Sequence, residues 1–231
     1  MDMLLESQIY WRLIALAQSV PHCEQTLLFD WIARTLDGPL STNQMEKLTQ
    51  EQLQATQPAE LLAGQAAFTD AEWLAMLNCL HGQLPSHLNP IPARPDPDAL
   101  LVAFCSNDGV HINGHFGTCQ LFFIYQVASD KAQLIDIRNF VEHETLEDNE
   151  TRAQLLDGCH LLFCEAIGGP AAARIIRHNI HPLKIKKKDN AIAMQLQALH
   201  VLMNGTLPPW LAKVLGRNSG LQQRFMDELL E

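Results

Sequence analysis

No apolar run in this chain reaches the ~20 residues a helix needs to span a bilayer, because polar and charged residues break each one first. No two of the six cysteines, at positions 23, 79, 105, 119, 159 and 164, have C-x-x-C spacing. That excludes the usual zinc-site pattern. It also leaves a disulfide framework without support, so free thiols are expected, most of them buried as small hydrophobes. No G-x-S-x-G elbow, Walker loop or dinucleotide G-x-G-x-x-G occurs, which removes the commonest hydrolase, nucleotide-binding and dinucleotide signatures. Basic residues are in deficit, 16 Lys and Arg against 26 Asp and Glu for a net charge of −10, and this disfavours a general nucleic-acid binder. The opening stretch MDMLLESQIYWRLIALAQ has acids where a secretory signal needs a basic start, so a cytoplasmic location is expected. Internal repeats and low-complexity tracts are missing too.

What is present is an ordinary globular balance, 47% hydrophobic and 18% charged over 231 residues, enough for one large domain or two modest ones. A boundary is visible at PSHLNPIPARPDPD (85–98), whose prolines at 85, 90, 92, 95 and 97 are incompatible with helix or central strand. It reads as an extended, semi-rigid spacer. Charge differs across it: residues 1–84 carry three basic and ten acidic side chains, residues 85–231 thirteen and sixteen.

Before the spacer everything has helical period. Leu4, Leu5, Ile9, Leu13, Leu16 and Ala17 form one stripe and Leu27, Leu28, Trp31, Ile32 and Leu36 another, the second stopped by DGP at 37–39. Ser41 with Gln44, and Thr69 with Glu72, have capping-box spacing. Residues 1–84 are therefore an all-α bundle of four or five short helices, in which His22 beside Cys23 is a surface histidine next to a core thiol. After the spacer the period changes. ALLVAFCS (99–106), QLFFIYQVA (120–128), AQLIDIRNF (132–140), HLLFCEA (160–166) and HPLKIKKK (181–188) read as strands. The third is expected to alternate at Leu134, Asp136 and Arg138. DNETRAQLLDG, GGPAAARIIRHN and NAIAMQLQALHVLMNG read as helices, and WLAKVLG and LQQRFMDELL add one or two more in the tail 206–231. Strand, strand, strand, then alternating helix and strand predicts an α/β domain over 99–205 with a mixed sheet covered by helices.

Three features of that domain could carry chemistry. The loop NDGVHINGHFGTC (107–119) joins the first two strands, an expected antiparallel pair, and is dense in potential ligands: His111, His115, Asn107, Asp108 and Cys119 among Gly109, Gly114 and Gly117. His115 projects from a tight turn anchored by Phe116, and reads either as a metal ligand or as an exposed turn histidine. Gly168 and Gly169, followed by Pro170, open a helix whose first N–H groups could hold an anion. Lys186, Lys187 and Lys188 end the last strand as a concentrated basic patch, either an attractor of acidic ligands or a solvated strand end. The acids Glu142, Glu144, Glu147, Asp148 and Glu150 read as a solvated loop and helix start. With Asp108, Asp136 and Glu165 they form no metal-binding set. Cys105 and Cys164 close two strands with no visible activator.

LLVAFCSNDGVHINGHFGTCQLFFIYQV followed by FCEAIGGPAAARIIRHNIHPLKI resembles the dinitrogenase iron–molybdenum cofactor family over about 99–205. A helical N-terminal domain and a proline-rich linker ahead of it resemble the NafY/NifY type, the nitrogenase accessory (gamma) proteins related to NifX-type carriers and to the C-terminal part of NifB. The resemblance implies a ribonuclease-H-like core, a sterile-alpha-motif-like helical domain and no enzymatic activity. It implies a carrier or chaperone that binds the iron–molybdenum cofactor, a precursor or an analogue transiently, receives it from cofactor-synthesis proteins and associates with apo-dinitrogenase through residues 1–84. The family's cofactor-binding histidine falls on His115. Asn107, Asp108, Gly109, Phe116, Gly117, Gly168 and Gly169 match motif positions. Many members have a small residue where Cys119 stands, so a ligand role there would be particular to this chain. Two rival readings are a structural chaperone of apo-dinitrogenase that never touches the cluster, and a metal-dependent nuclease, for which the convergent carboxylate trio is missing.

Overall fold

The computed structural model describes residues 2–215 except 37, 39, 63–65, 95 and 206. Parts of three expectations lie outside the described residues: the side chains of Leu4 and Leu5, the helix stop at 37–39 and the last tail helix. The chain divides into two compact units, Met1–Asn89 and Pro90–Glu231.

The first unit is helical: α1 (Asp2–Ser19), α2 (Gln25–Leu36), α3 (Thr42–Met45), α4 (Gln50–Thr56) and α5 (Asp70–Leu80), with 3₁₀ turns at Ala59–Leu62 and Ser86–Leu88. Thr69 and Glu72 form a full capping box at the start of α5. Ser41 supplies only the forward half, accepting from Gln44 N. Thr49 and Gln52 form a second full box ahead of α4, which the sequence reading passed over. Trp31, Phe68 and Trp73 meet as stacked and edge-on rings with centroids 5.2–6.2 Å apart, the geometry that adds to area burial. Buried Arg12 bonds Leu80 O at 2.8 Å and Glu46 Oε1 at 2.7 Å, so its charge is paired, as burial demands. His22 lies against Phe68 and 3.7 Å from Glu72 Oε1.

The proline-rich segment is not one uniform spacer. Pro85 caps the 3₁₀ turn, Leu88 is buried and His87 Nε2 lies 2.6 Å from Gln18 Oε1, all within the first unit. In the second unit Ile91 pairs through its N–H with Leu134 O and through its carbonyl with the Gln133 side chain.

The second unit is built on five strands: β1 (Leu100–Cys105), β2 (Leu121–Val127), β3 (Ala132–Asn139), β4 (Leu161–Cys164) and β5 (His181–Lys184), in the spatial order β3-β2-β1-β4-β5. The β1–β2 and β2–β3 pairs are antiparallel, β1–β4 and β4–β5 parallel, so the sheet is mixed. Helices α6 (Asp148–Leu155), α7 (Gly169–Arg177), α8 (Ile192–Met203) and α9 (Pro209–Val214) complete it. β2 and β4 are buried at every position, hence their apolar runs, unbroken in β4 and interrupted in β2 only by Gln126. Ala103, Cys105, Phe122, Ile124, Leu162 and Cys164 share one buried cluster with Ala153, Leu156, Ala171 and Ile175 of the α6–α7 side. The alternate residue Phe104 points to the opposite face, where it meets Tyr125 and Phe163. Helix α9 reaches β5, where Trp210 stacks on His181 at 5.2 Å. Among the described residues no helix is long and apolar enough to cross a membrane.

Three expectations need correction. Strict alternation in β3 fails because the register slips between Ile124 and Tyr125. This bulge inserts Ile135 as an extra residue, so the buried positions are Leu134 and Ile137. The last strand stops at Lys184, and Lys187–Asp189 is a 3₁₀ turn; the three lysines therefore stand on a loop rather than a strand end. Nor is the acidic stretch merely solvated. Glu147 and Glu150 pair with Arg174 of α7, and Glu150 also approaches the C-cap residue His178 at 3.1 Å.

Candidate functional site

Because β1, β4 and β5 are parallel, their carboxyl ends share one edge of the sheet, the edge at which α/β folds assemble binding sites. Three segments leave from it: the loop after β1, the turn after β4 and the lysine-bearing segment after β5. Backbone hydrogen bonds lace them together. Gly114 N donates to Cys105 O at 3.2 Å, Glu165 N to Gly114 O at 3.0 Å and Phe116 N to Ala166 O at 2.9 Å. Residues 114–116 thus run beside the ends of β1 and β4, with His115 bridged in parallel to Ala166. Farther along the edge, Ile112 N donates to Asn190 O at 2.7 Å and Ile192 N to Val110 O at 2.9 Å.

The first half of the loop closes on itself. Asp108 Oδ1 accepts from Val110 N at 2.8 Å, His111 N at 2.7 Å and Ser106 Oγ at 3.1 Å, while Oδ2 takes Asn113 Nδ2 at 3.1 Å and lies 3.0 Å from His111 Nδ1. Partial burial works to raise its pKa, but the bonds from His111, Val110 and Ser106 outweigh it and hold the carboxyl below its ordinary value. Gly109 has φ of 73°, a backbone open to glycine at least strain. Its N–H donates to Ser106 Oγ at 2.8 Å. Asn107 is bonded twice to Asn113. Asn107, Asp108 and Gly109 therefore shape the loop, and His111 is tethered to its hub.

The second half presents the His115 ring. Phe116 is fully buried near Phe122. Cys119 is buried as well, its Sγ donating to Leu121 O at 3.0 Å. Gly114 is required by close approach: a Cβ there would lie 2.8 Å from Cys119 Sγ and 3.0 Å from Cys105 C. The His115 carbonyl accepts from Thr118 N and Cys119 N at 3.0 and 2.8 Å, so its backbone is held while its ring remains 60% exposed. The nearest charged contact is Glu165 Oε2, 3.7 Å from His115 Nε2. Lys187 Nζ lies 3.7 Å from the other oxygen of the same carboxylate. Glu165 is the site residue that sequence reasoning missed. Its signal was a lone charge directly after the buried strand LLFC and ahead of the glycine pair.

Gly168 caps α7 with φ −74° and ψ 155°, a conformation any residue can adopt, and a Cβ at Gly168 or Gly169 would meet nothing within 4 Å. Neither geometry nor packing calls for glycine there. Their effect is to leave the helix start uncovered, where the first-turn N–H groups have no partner within the helix. A Cβ on Gly117 would make only ordinary contact with Asn149. Cys105 and Cys164 offer nothing to this edge: both are buried, and burial pushes Cys105 well up and Cys164 to about 11. Among the described residues no three His, Cys, Asp or Glu side chains converge as a metal-holding group. The edge offers the outward imidazole of His115 near a glycine-led helix start.

Fold and site together define a mixed-sheet α/β module with a histidine-bearing loop at its carboxyl edge, in a chain that also has a helical unit. The family described as "Dinitrogenase iron-molybdenum cofactor" matches residues 98–199, which spans the whole module through most of α8. Protein NifY of Klebsiella pneumoniae is 44% identical over 210 residues, covering 90% of this chain and 89% of that protein. Protein NifY of Azotobacter vinelandii is 29% identical over 96% of this chain and 95% of that protein. Protein NifX of Rhodobacter capsulatus is 37% identical but covers 54% of this chain and 84% of its own. The chain belongs to this iron–molybdenum cofactor family, and its likeness to the NifY proteins extends through the helical unit.

Proposed function

We propose that the protein is a non-enzymatic carrier for nitrogenase iron–molybdenum cofactor, or for a precursor or analogue cluster, with His115 as its metal ligand. The observation that carries this reading is the exposed His115 ring on a fixed backbone at the carboxyl edge of the parallel strands, in a chain of this family. The cargo is an anionic iron–sulfur cluster bearing molybdenum and a polycarboxylate. An imidazole can bind the metal, while the open helix start at Gly168–Gly169 and the exposed lysines at 186–188 favour the negative charge. Asn107, Asp108, Gly109 and Phe116 support the site by holding the loop rather than by touching cargo; Gly117 leaves its turn open beside His115. Such a grip suits transient binding, since a full set of thiolates would hold the cluster too firmly to hand on.

The helical unit, with ten acidic and three basic residues before position 85, is the docking piece for apo-dinitrogenase, and cofactor-synthesis proteins load the α/β unit. In this reading the second unit is ribonuclease-H-like, the first is sterile-alpha-motif-like, and the protein works in the cytoplasm.

Anaerobic titration with isolated cofactor tests the proposal. The unchanged protein takes up the cluster and its visible absorption, and His115→Ala weakens uptake by about 100-fold or more, as expected when a metal loses its protein ligand. Equal affinity in the two proteins removes His115 from the role.

A further inference from the structure

We infer that Glu165 is the release element of this edge, a carboxylate that competes with an anionic cargo for His115 and Lys187. The inference deepens the carrier reading and rests on it. Glu165 follows β4 directly, and its backbone is fixed: its N–H donates to Gly114 O at 3.0 Å, and the next carbonyl, of Ala166, accepts from Phe116 N at 2.9 Å. The side chain is 23% exposed and sits between two groups from different segments, Oε2 3.7 Å from His115 Nε2 and Oε1 3.7 Å from Lys187 Nζ. Both separations are longer than a hydrogen bond, so neither partner is locked and each can exchange the carboxylate for another anion.

The carboxylates that build this unit look different. Asp108 takes bonds of 2.7–3.1 Å from four residues of its own loop, and Glu147 is bonded to Arg174. Among the described residues Glu165 makes no comparably short contact, yet it places a negative charge among groups that otherwise attract anions. Once an anionic cluster is bound at His115, Glu165 loses its contact with the ring and shares Lys187 with the cargo. As the cluster leaves, the same carboxylate re-pairs with both groups. The emptied site is thereby stabilised and the filled one destabilised, which is the bias a carrier requires at handover.

Glu165→Gln keeps the length and polarity of the side chain and removes its charge. In anaerobic titration with isolated iron–molybdenum cofactor, this variant binds about tenfold more tightly than the unchanged protein, the scale of one nearby like charge in a partly exposed site. It also releases the cluster several-fold more slowly to excess thiolate competitor. Glu165→Asp restores weaker binding and faster release, and thermal midpoints of both variants stay at the unchanged value. Lys187→Ala weakens binding, and does so more strongly in the Glu165→Gln background, where the lysine is no longer shared. If the unchanged protein takes up no cofactor, both readings fall. If it binds and His115→Ala does not, but Glu165→Gln binds equally or less tightly, the carrier reading stands and the role of Glu165 is overturned.

Discussion

Two histidines lie toward opposite ends of α7, and carboxylates approach both. His178 is the C-cap residue. Its Nδ1 is 2.6 Å from Asp157 Oδ1, its Nε2 is 3.1 Å from Glu150 Oε1, and its side chain is 19% exposed. His115 is bridged to Ala166, two residues ahead of the N-cap Gly168, and its ring has the 3.7 Å approach of Glu165 and 60% exposure. One ring uses both nitrogens to fasten α7 to the first turn of α6 and to the turn that follows that helix. The other has its Nε2 beyond hydrogen-bond range of the carboxylate nearest to it. Both are histidines approached by a carboxylate; what separates them is that the fold has engaged both nitrogens of His178 and leaves the His115 ring exposed.

Exchanging the two breaks this comparison most severely. His115→Ala is expected to lose cofactor uptake while the thermal midpoint holds, and His178→Ala to lower stability while uptake holds. If either variant moved both readouts, the two ends of the helix would not be separable. The next largest effect concerns what keeps His115 in place. Asp108→Ala removes the acceptor for four neighbours and is expected to destabilise the second unit by roughly 3 kcal/mol in urea unfolding, given the strength of hydrogen bonds to charged groups. Uptake should fall less than for His115→Ala, because the 114–116 segment is held separately by β1 and the residues after β4. Gly114→Ala attacks that second anchorage. A Cβ 2.8 Å from Cys119 Sγ and 3.0 Å from the Cys105 backbone must push the segment off the sheet, at about 2 kcal/mol by the usual scale of overpacking. Here uptake and stability should fall together.

Most of the secondary structure was legible. The doubly buried strands give mostly apolar runs, and the helices that follow are bracketed by glycine, proline or asparagine. The mismatches are all non-local. The bulge at Ile135 depends on how β3 meets β2, so alternation within β3 alone points to Asp136 where Ile137 is buried. The last strand is as short as β4, its pairing partner, although its own sequence reads as strand through Lys188. At the site, His115 was visible as a histidine in a glycine turn, but its exposure follows from backbone bonds to residues 105 and 166. Asn107 and Asp108 matched motif positions without revealing that their side chains are spent on the loop. Glu165 was passed over because its partners come from positions 115 and 187, and no local period records that meeting.

The smallest expected effect is also the one with a pH signature. The bond from Asp157 raises the pKa of His178, against the lowering effect of partial burial, and Glu150 adds to the rise; the C-terminal end of α7 favours the cation as well. A histidine whose folded pKa lies above its ordinary 6.5 contributes its stabilisation fully below that value and loses it as pH climbs through the raised one. His178→Gln should therefore cost about 1 kcal/mol at pH 6, a hydrogen-bonded charge discounted for exposed carboxylate partners, and close to nothing at pH 9. Urea unfolding of the two proteins across that range reads the difference directly. A gap that stayed constant with pH would mean that the ring is held by packing against α7. A gap that widened toward alkaline pH would reverse the sign and mean that His178 is neutral in the fold.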